Sequence, residues 1–285
     1  MVSQASQALA IVVAYGGVDS LRNTLAALAG LDVLVIDNSA DSEVQAVAVD
    51  AGARYVDSGA NIGFARAVNL GLLQAGGRDV VLVNPDAEVS AETVQALVAR
   101  LHVPGSRVAA VAPKLTSPEG LEQRVRWPFP SPMGAWLQAA GIARLKSDAN
   151  GFLVGAVLAL RGSALERLGG FDESFFLYGE ETDWERRAVA EGWDLVLAED
   201  LEATHIGGGS SEDEWRREIH FHAGGERYIR KWFGRSGWAS YRLATVLGAA
   251  LRVVLLTGAR RTEAARRLTL YLHGPKRRER QVFTL

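Results

Sequence analysis

The sequence predicts an α/β protein built on a mostly parallel central sheet flanked by helices. Three observations carry that expectation. In the first 112 residues, short β-forming runs alternate with segments of helical periodicity, the pattern of βαβ units. The first run, Leu9–Tyr15 (LAIVVAY), is continuously apolar, as a strand buried on both faces requires. The chain has 285 residues, 48% of them apolar types, enough for a substantial core without staples.

The elements follow in order. After Leu9–Tyr15, Asp19 or Ser20 is placed to cap a helix with Leu21, Leu25 and Leu28 on one face, ended by Gly30. Val33–Ile36 is the second strand. Asp41 or Ser42 opens a second helix that stops near Gly52. Tyr55–Val56 marks a short strand, Gly63–Ala75 a helix and Val80–Val83 a strand. Ser90 caps a helix running to Leu101, and Val108–Ala112 is the next strand. Pro113 to Pro132 holds five prolines and reads as a long surface connection. Phe152–Leu160 reads as one apolar strand, and Ser163 begins a short helix that ends at Gly169–Gly170. Glu180–Glu191 is helical, Trp193–Leu197 a strand, Gly207–Gly209 a loop and Ser211–Phe233 a helix. We expect residues 1–235 to form the catalytic domain, with a nucleotide-binding half at about 9–112 and an acceptor half at about 113–235. Residues 236–285 read as a basic helical extension.

Composition narrows the function. The chain lacks cysteine, which excludes disulfides, thiolate metal sites and a cysteine nucleophile. A net charge of −2 gives no reason to expect nucleic-acid binding. No G-x-G-x-x-G follows the first strand, and neither a P-loop nor a G-x-S-x-G elbow occurs, so dinucleotide enzymes, P-loop phosphotransferases and α/β-hydrolases lose weight. The N-terminal segment before the first apolar run carries no basic residue, so it is not expected to be a signal peptide.

Parallel sheets bind ligands at the carboxyl ends of their strands. There the sequence places Tyr15-Gly16-Gly17, Asp37-Asn38-Ser39, Asn61-Ile62-Gly63-Phe64 and Asn84-Pro85-Asp86. Asn, Asp, Gly and Pro are also ordinary turn residues. Four polar turns in succession at one edge favour a ligand. The densest acidic cluster is Glu180, Glu181 and Asp183, at a loop-to-helix junction beside Phe175, Phe176, Tyr178 and Trp184. Acids there complement a helix N-terminus. A carboxylate in partly apolar surroundings can also have a raised pKa and serve as a base near neutral pH. His205 follows the strand Trp193–Leu197 and is by itself weak evidence.

Together these segments resemble glycosyltransferase family 2, the inverting nucleotide-sugar enzymes of GT-A fold. The matching pieces run in the family's order from Val12-Val13-Ala14-Tyr15 through Val35-Ile36-Asp37-Asn38-Ser39, Asn61 to Asn69, Val83-Asn84-Pro85-Asp86 and Gly155-Ala156. They end with Gly169-Gly170-Phe171-Asp172-Glu173, Tyr178 to Trp184, and His205. Within the family the pattern is most similar to bacterial rhamnosyltransferase-like members. The resemblance implies that Tyr15, Asp37 and Asn38 hold the nucleobase and ribose, and that Asn61, Gly63, Phe64 and Asn69 lie near the nucleoside and sugar. Gly155 joins this donor-binding set. Asn84-Pro85-Asp86 occupies the place of the D-x-D motif, making Asp86 the ligand of an Mg²⁺ or Mn²⁺ ion and Asn84 a weaker donor contact. His205 completes the metal site. Glu181 stands where the family has its catalytic base, with Asp183 and Glu180 as alternatives. The implied donor is dTDP-L-rhamnose or a UDP-sugar, and the implied acceptor a cell-envelope glycan or polyprenyl-linked lipid.

Two other classes compete. A sugar nucleotidylyltransferase needs a glycine-rich triphosphate loop with a basic residue after the first strand, where this chain has Gly16-Gly17-Val18-Asp19. A non-catalytic sugar-nucleotide or glycan-binding module would be favoured by loss of Asp86 and the 180–183 acids, and all of them are present.

The tail differs from the rest. From Arg242 to Arg280 the local charge is +8, against −10 elsewhere. Arg242, Arg252, Arg260, Arg261, Arg266, Arg267, Lys276, Arg277, Arg278 and Arg280 are interleaved with leucines. Basic amphipathic helices suit anionic membrane surfaces. They serve equally as a solvated extension or an oligomer contact. The apolar stretch Leu243–Leu256 is shorter than the roughly 20 residues a spanning helix needs and contains Arg252. We therefore expect a cytoplasmic protein, peripheral on the inner face of the plasma membrane.

Overall fold

A computed structural model describes residues 8–143, 151–207 and 214–282. Gly209 and Ser211, expected in a loop and at a helix start, lie outside the described residues. The chain forms two compact units. Among the described residues the first holds 8–127, 151–176 and 180–207, and the second 128–143, 177–179 and 214–282.

The first unit opens with β1 (Leu9–Ala14), α1 (Val18–Ala27), β2 (Asp32–Asp37), α2 (Ser42–Asp50), β3 (Arg54–Asp57), α3 (Phe64–Leu73) and β4 (Val80–Val83). The four strands are parallel in the order β3-β2-β1-β4. Every residue of β1 is buried, which explains its unbroken apolar run. Asp41 caps α2 by accepting from the Glu43 N–H, and Ser90 caps α4 (Ala91–Leu101) by accepting from the Thr93 N–H. Helix α1 departs from expectation: its N-cap is Gly17, and Asp19 falls in the first turn. Gly16 and Gly17 both hold φ of 66°, turning the chain sharply enough to start the helix two residues early.

Beyond β4 the sheet becomes mixed. β5 (Ala87–Glu88), β6 (Val108–Thr116), β7 (Glu122–Gln123) and β8 (Arg126–Trp127) come next, followed by β9 (Phe152–Leu153), β10 (Val157–Leu160) and β11 (Asp194–His205). The expected single strand over Phe152–Leu160 is two strands, parted by a turn at Gly155–Ala156. β10 lies antiparallel between β4 and β6, while β9 pairs β8 in a separate two-stranded ribbon. The expected surface connection from Pro113 is partly strand. β6 continues through Pro113 because this residue sits opposite Ala198, where the β6–β11 register shifts and a missing N–H is tolerated. β11 runs on to His205 rather than stopping at Leu197, pairing with β6 and, at its end, with β5. Helices α6 (Gly162–Leu168) and α7 (Glu180–Ala190) complete this unit.

The second unit is helical: α5 (Pro132–Ala139), α8 (Glu214–Leu255), α9 (Gly258–His273) and α10 (Pro275–Val282). Helices α5, α9 and α10 all pack on α8. α8 is broken at Gly234 (φ 66°). Two of the tail's arginines are used internally. Arg242 donates to the Tyr271 and Leu272 carbonyls at the end of α9, and Arg252 to the Gln138 carbonyl of α5. Arg242 thereby satisfies carbonyls that a helix end leaves open. Glu279 is buried against His220 and Arg227.

Candidate active site

The parallel strands β1, β2, β3 and β4 end at one edge. Adjacent to it come the turn before antiparallel β10 and the far ends of β6 and β11. This register assembles residues 14 to 205 on one rim of the first unit.

Asp37, at the end of β2, organises the rim. It has no exposed surface. One carboxylate oxygen accepts from the Ser39 N–H (2.8 Å) and hydroxyl (2.6 Å), the other from the Asp41 N–H (3.0 Å) and the Tyr55 hydroxyl (2.8 Å). Burial by itself would raise its pKa, but these donors outweigh it and hold the carboxyl below its ordinary value. Burial and the bond to Asp37 push the Tyr55 hydroxyl up to about 12. The four acceptor positions of Asp37 are thus filled by its own chain. Asn38 extends the network, accepting from the Ile62 N–H (2.9 Å) and donating to Asn61 (3.1 Å). Asn61 in turn accepts from the Gly63 N–H. Gly63 has φ of 86°, and a Cβ there would lie 2.7 Å from the Phe176 carbonyl. The N–H of Phe64 donates to that same carbonyl. Asn69 clamps the backbone of Phe171 from both sides, donating to its carbonyl and accepting from its N–H, each at 2.9 Å. Tyr15, by contrast, stands half exposed.

The second group surrounds Asp86. Its backbone is held by the turn from Asn84 to Ala87, and its carbonyl accepts from the Ile206 N–H. The Asn84 N–H donates to the Ala156 carbonyl beside Gly155. The side chain of Asp86 is buried, with one carboxylate oxygen 3.4 Å from Nε2 of His205. Residues 119 positions apart in sequence therefore converge. Gln123, which the sequence did not single out, contacts His205 twice.

The third group is α7. Glu181 packs against Gly155, whose added Cβ would lie 3.5 Å from the Glu181 Cγ. Glu180 and Asp183 are buried, whereas Glu181 is half-buried. Asp183 accepts from Arg187 at 3.2 Å, and Arg187 also donates to the Leu168 and Gly170 carbonyls. Asp183 is thereby joined to the loop that Asn69 clamps. Glu185, one turn beyond Glu181, was not anticipated, although the i,i+4 spacing on one helix face was available as a signal. It is fully buried and accepts from the Leu153 N–H at 2.7 Å. Burial, and then the neighbouring Glu181, push its carboxyl well above the ordinary value of 4.5 despite the Leu153 bond.

The fold and this rim define the class: a nucleotide-diphospho-sugar transferase fold of GT-A type. The chain aligns with the mannosyltransferase PcManGT from Pyrobaculum calidifontis, solved with GDP-Man and Mn²⁺, at a TM-score of 0.58. That alignment covers 95% of this chain and 82% of the other at 16% identity. The chain belongs to glycosyl transferase family 2, whose model matches residues 9–169. It is 27% identical over 206 residues to the low-salt glycan biosynthesis hexosyltransferase Agl10 of Haloferax volcanii, covering 68% of this chain. It is 28% identical over 205 residues to the N-acetylglucosaminyl-diphospho-decaprenol L-rhamnosyltransferase of Mycobacterium tuberculosis, covering 61% of this chain. The chain spans 66% of the length of each of these two relatives.

Two stability predictions follow from the buried carboxyls. Asp37→Asn turns two accepting positions into donors that face donors, and should lose about 2–4 kcal/mol at neutral pH. Because the folded pKa of Asp37 lies below its ordinary 3.8, its contribution is present above that value and is lost as the pH falls through the lower folded one. Urea unfolding should therefore show the gap between wild type and variant narrowing below about pH 4. Glu185 has the opposite sign. The stability of its protonated form is full below 4.5 and is lost as the pH rises towards the raised folded value. Glu185→Gln keeps an acceptor for the Leu153 N–H without an ionisable group, so at pH 8 it should be at least as stable as wild type. Glu185→Ala, which orphans that N–H, should be less stable by about 1–3 kcal/mol in the same urea series.

Proposed function

We propose that this chain is an inverting, divalent-cation-dependent hexosyltransferase, moving L-rhamnose from dTDP-L-rhamnose onto a hydroxyl of a polyprenyl-linked or other cell-envelope glycan acceptor. The observation that carries the reading is the convergence of Asp86 and His205 at the carboxyl edge of the sheet. Family membership supports sugar transfer, and the two named relatives support a hexose donor, the mycobacterial one a rhamnosyl donor in particular.

The residues fit a hard divalent cation. A carboxylate oxygen and an imidazole nitrogen face one another at 3.4 Å. Neighbouring ligands of an octahedral ion, with bonds of about 2.1 Å at right angles, stand about 3 Å apart. Oxygen plus imidazole suits Mg²⁺ or Mn²⁺. In this reading Asp86 and His205 would hold the ion together with the donor's diphosphate. Such an ion, when bound, stabilises the negative charge that develops on the leaving nucleoside diphosphate.

The chain's own residues do the rest. Asp37 folds the 37–41 turn, and Asn38 with Asn61 shapes the loop beside it, so that backbone groups and the exposed Tyr15 meet the nucleoside. Gly63 and Asn69 fix the loops from α3 to Phe171 and Phe176 near the sugar. Gly155 leaves space beside Glu181. Among the three acids Glu181 alone keeps partial exposure, and it is the one we assign as general base. It takes the acceptor hydroxyl's proton as that oxygen attacks the anomeric carbon from the face opposite the leaving group, which inverts the centre.

The tail supports a membrane-associated acceptor. α8 includes a stretch long and apolar enough to cross a membrane by length and composition, more than the isolated Leu243–Leu256 run suggested. Its faces differ, however. Leu243, Leu247, Leu251, Val254 and Leu255 are exposed, whereas Ala244 and Ala249 are buried. One apolar stripe followed by exposed Arg260, Arg261 and Arg266 suits a helix lying in the interface of an anionic leaflet.

Asp86→Ala should reduce kcat/KM for transfer by about 10²-fold or more, since the ion's charge stabilisation is worth several kcal/mol. The measurement is release of each nucleoside diphosphate from a panel of dTDP- and UDP-sugars with Mn²⁺, where preference for a UDP-sugar would reassign the donor. Glu181→Gln should cut turnover by about 10²–10⁴-fold while leaving nucleoside diphosphate affinity unchanged by calorimetry. Lost nucleotide affinity would move Glu181 to the donor side. The protein should co-sediment with anionic but not neutral liposomes, and less so at high salt; indifference to lipid charge and salt would overturn the interfacial assignment.

A further inference from the structure

Gln123 sits on β7, in the proline-rich connection, opposite Leu115 of β6. Its side chain crosses to the end of β11 and meets His205 at two points. Nε2 donates to the His205 carbonyl at 2.6 Å, and Oε1 lies 3.1 Å from Nδ1 of the ring. The orientation of this amide follows from chemistry. A backbone carbonyl only accepts, so the amide nitrogen must face it, and the amide oxygen is left facing Nδ1. An amide oxygen also only accepts, so Nδ1 must carry the hydrogen. A neutral imidazole carries one. In the neutral ring Nε2 is therefore the bare nitrogen, and it is Nε2 that faces the Asp86 carboxylate at 3.4 Å.

We propose that Gln123 is a positioning residue that holds His205 in the Nδ1–H tautomer and so keeps its Nε2 lone pair open toward the Asp86 carboxylate, for a shared cation. With the other tautomer, Nε2–H would donate to Asp86, and the two groups would bond one another instead of a third partner. The ring has little freedom to avoid this choice. Residue 205 is registered against Ala87 of β5, the next N–H donates to the Asp86 carbonyl, and the His205 side chain is only 14% exposed. Second partners of metal-binding histidines act in this way, setting which nitrogen is available. The inference rests on the reading of Asp86 and His205 as cation ligands, but its first consequence needs no cation.

The tautomer is read by ¹⁵N–¹H correlation of the ring nitrogens in metal-free protein at pH 8, with His205→Ala assigning the signal. The wild type should show Nδ1–H. Gln123→Met, close in shape but without the acceptor, should move His205 towards Nε2–H. It should also weaken Mn²⁺ binding about 10–100-fold by calorimetry. Gln123→Glu keeps an acceptor opposite Nδ1 while losing the donor to the carbonyl, and should retain the Nδ1–H tautomer. That separates hydrogen-bond control from simple packing. A wild-type spectrum showing Nε2–H overturns the proposal, with no variant required to fold. An unchanged tautomer in Gln123→Met overturns it too. Mn²⁺ affinity unaffected by His205→Ala would instead overturn the metal reading, while the tautomer result would stand by itself.

Discussion

Parallel strands bring their carboxyl ends to the same side of a sheet. β1, β2 and β3 end in register at Ala14, Asp37 and Asp57, and β4 ends at Val83, opposite Val12, so all four come out on one rim. There the ladder stops, and backbone groups must find other partners. Asp37 is the main answer to that demand on the β2 side. It gathers two backbone N–H groups and two hydroxyls onto one buried carboxylate. Asn38 passes the organisation on to residues 61–63. A ligand arriving at this rim meets loops already fixed in shape, which lowers the ordering cost of binding.

The same constraint works differently on the other side of β4. The antiparallel β10 brings its N-terminal turn, not its end, to the rim, and with it Gly155 and the close approach of Glu181. β6 and β11 run parallel to each other, and β11 reaches far enough to set His205 beside Asp86. Polar groups are buried here at a density that the interior tolerates only with partners. Glu185 meets this by accepting from the Leu153 N–H, and Asp183 by joining Arg187, which ties α7 to the loop at Gly170. The half-buried Glu181 is thus flanked along its helix by acids fixed in place.

Much of this was legible in the sequence. The consecutive apolar residues of Leu9–Tyr15 and Val80–Val83, the caps Asp41 and Ser90, and the polar turns after each early strand are local signals. Each reports burial or hydrogen-bond demand at its own position. Those turns, together with the segments Gly169–Glu173 and Tyr178–Trp184, carry the resemblance to glycosyltransferase family 2, which implies the roles of Asp86, His205 and the acids of α7. The misses have one local and one long-range cause. Gly17 began α1 because a left-handed glycine pair turns the chain there. Pro113 looked like a strand breaker, and is accepted only because β11 bulges opposite it.

What the tertiary structure alone decided is which groups face which. Asp37 was marked as a nucleoside contact, and the fold surrounds it with four donors, one of them Tyr55, eighteen residues away. The resemblance put Glu181 first, with Asp183 and Glu180 as alternatives, and it is the fold that separates the three by burial. Gln123 carried no signal, because its meaning depends on a histidine 82 positions further on. The physical reason is the same in each case. Periodicity and turn chemistry are written along the chain, so the sequence by itself determined the strands, the helices and the edge where they end. Solvent exposure and hydrogen-bond direction are properties of pairs brought together across the sheet, and only the folded chain assigns them.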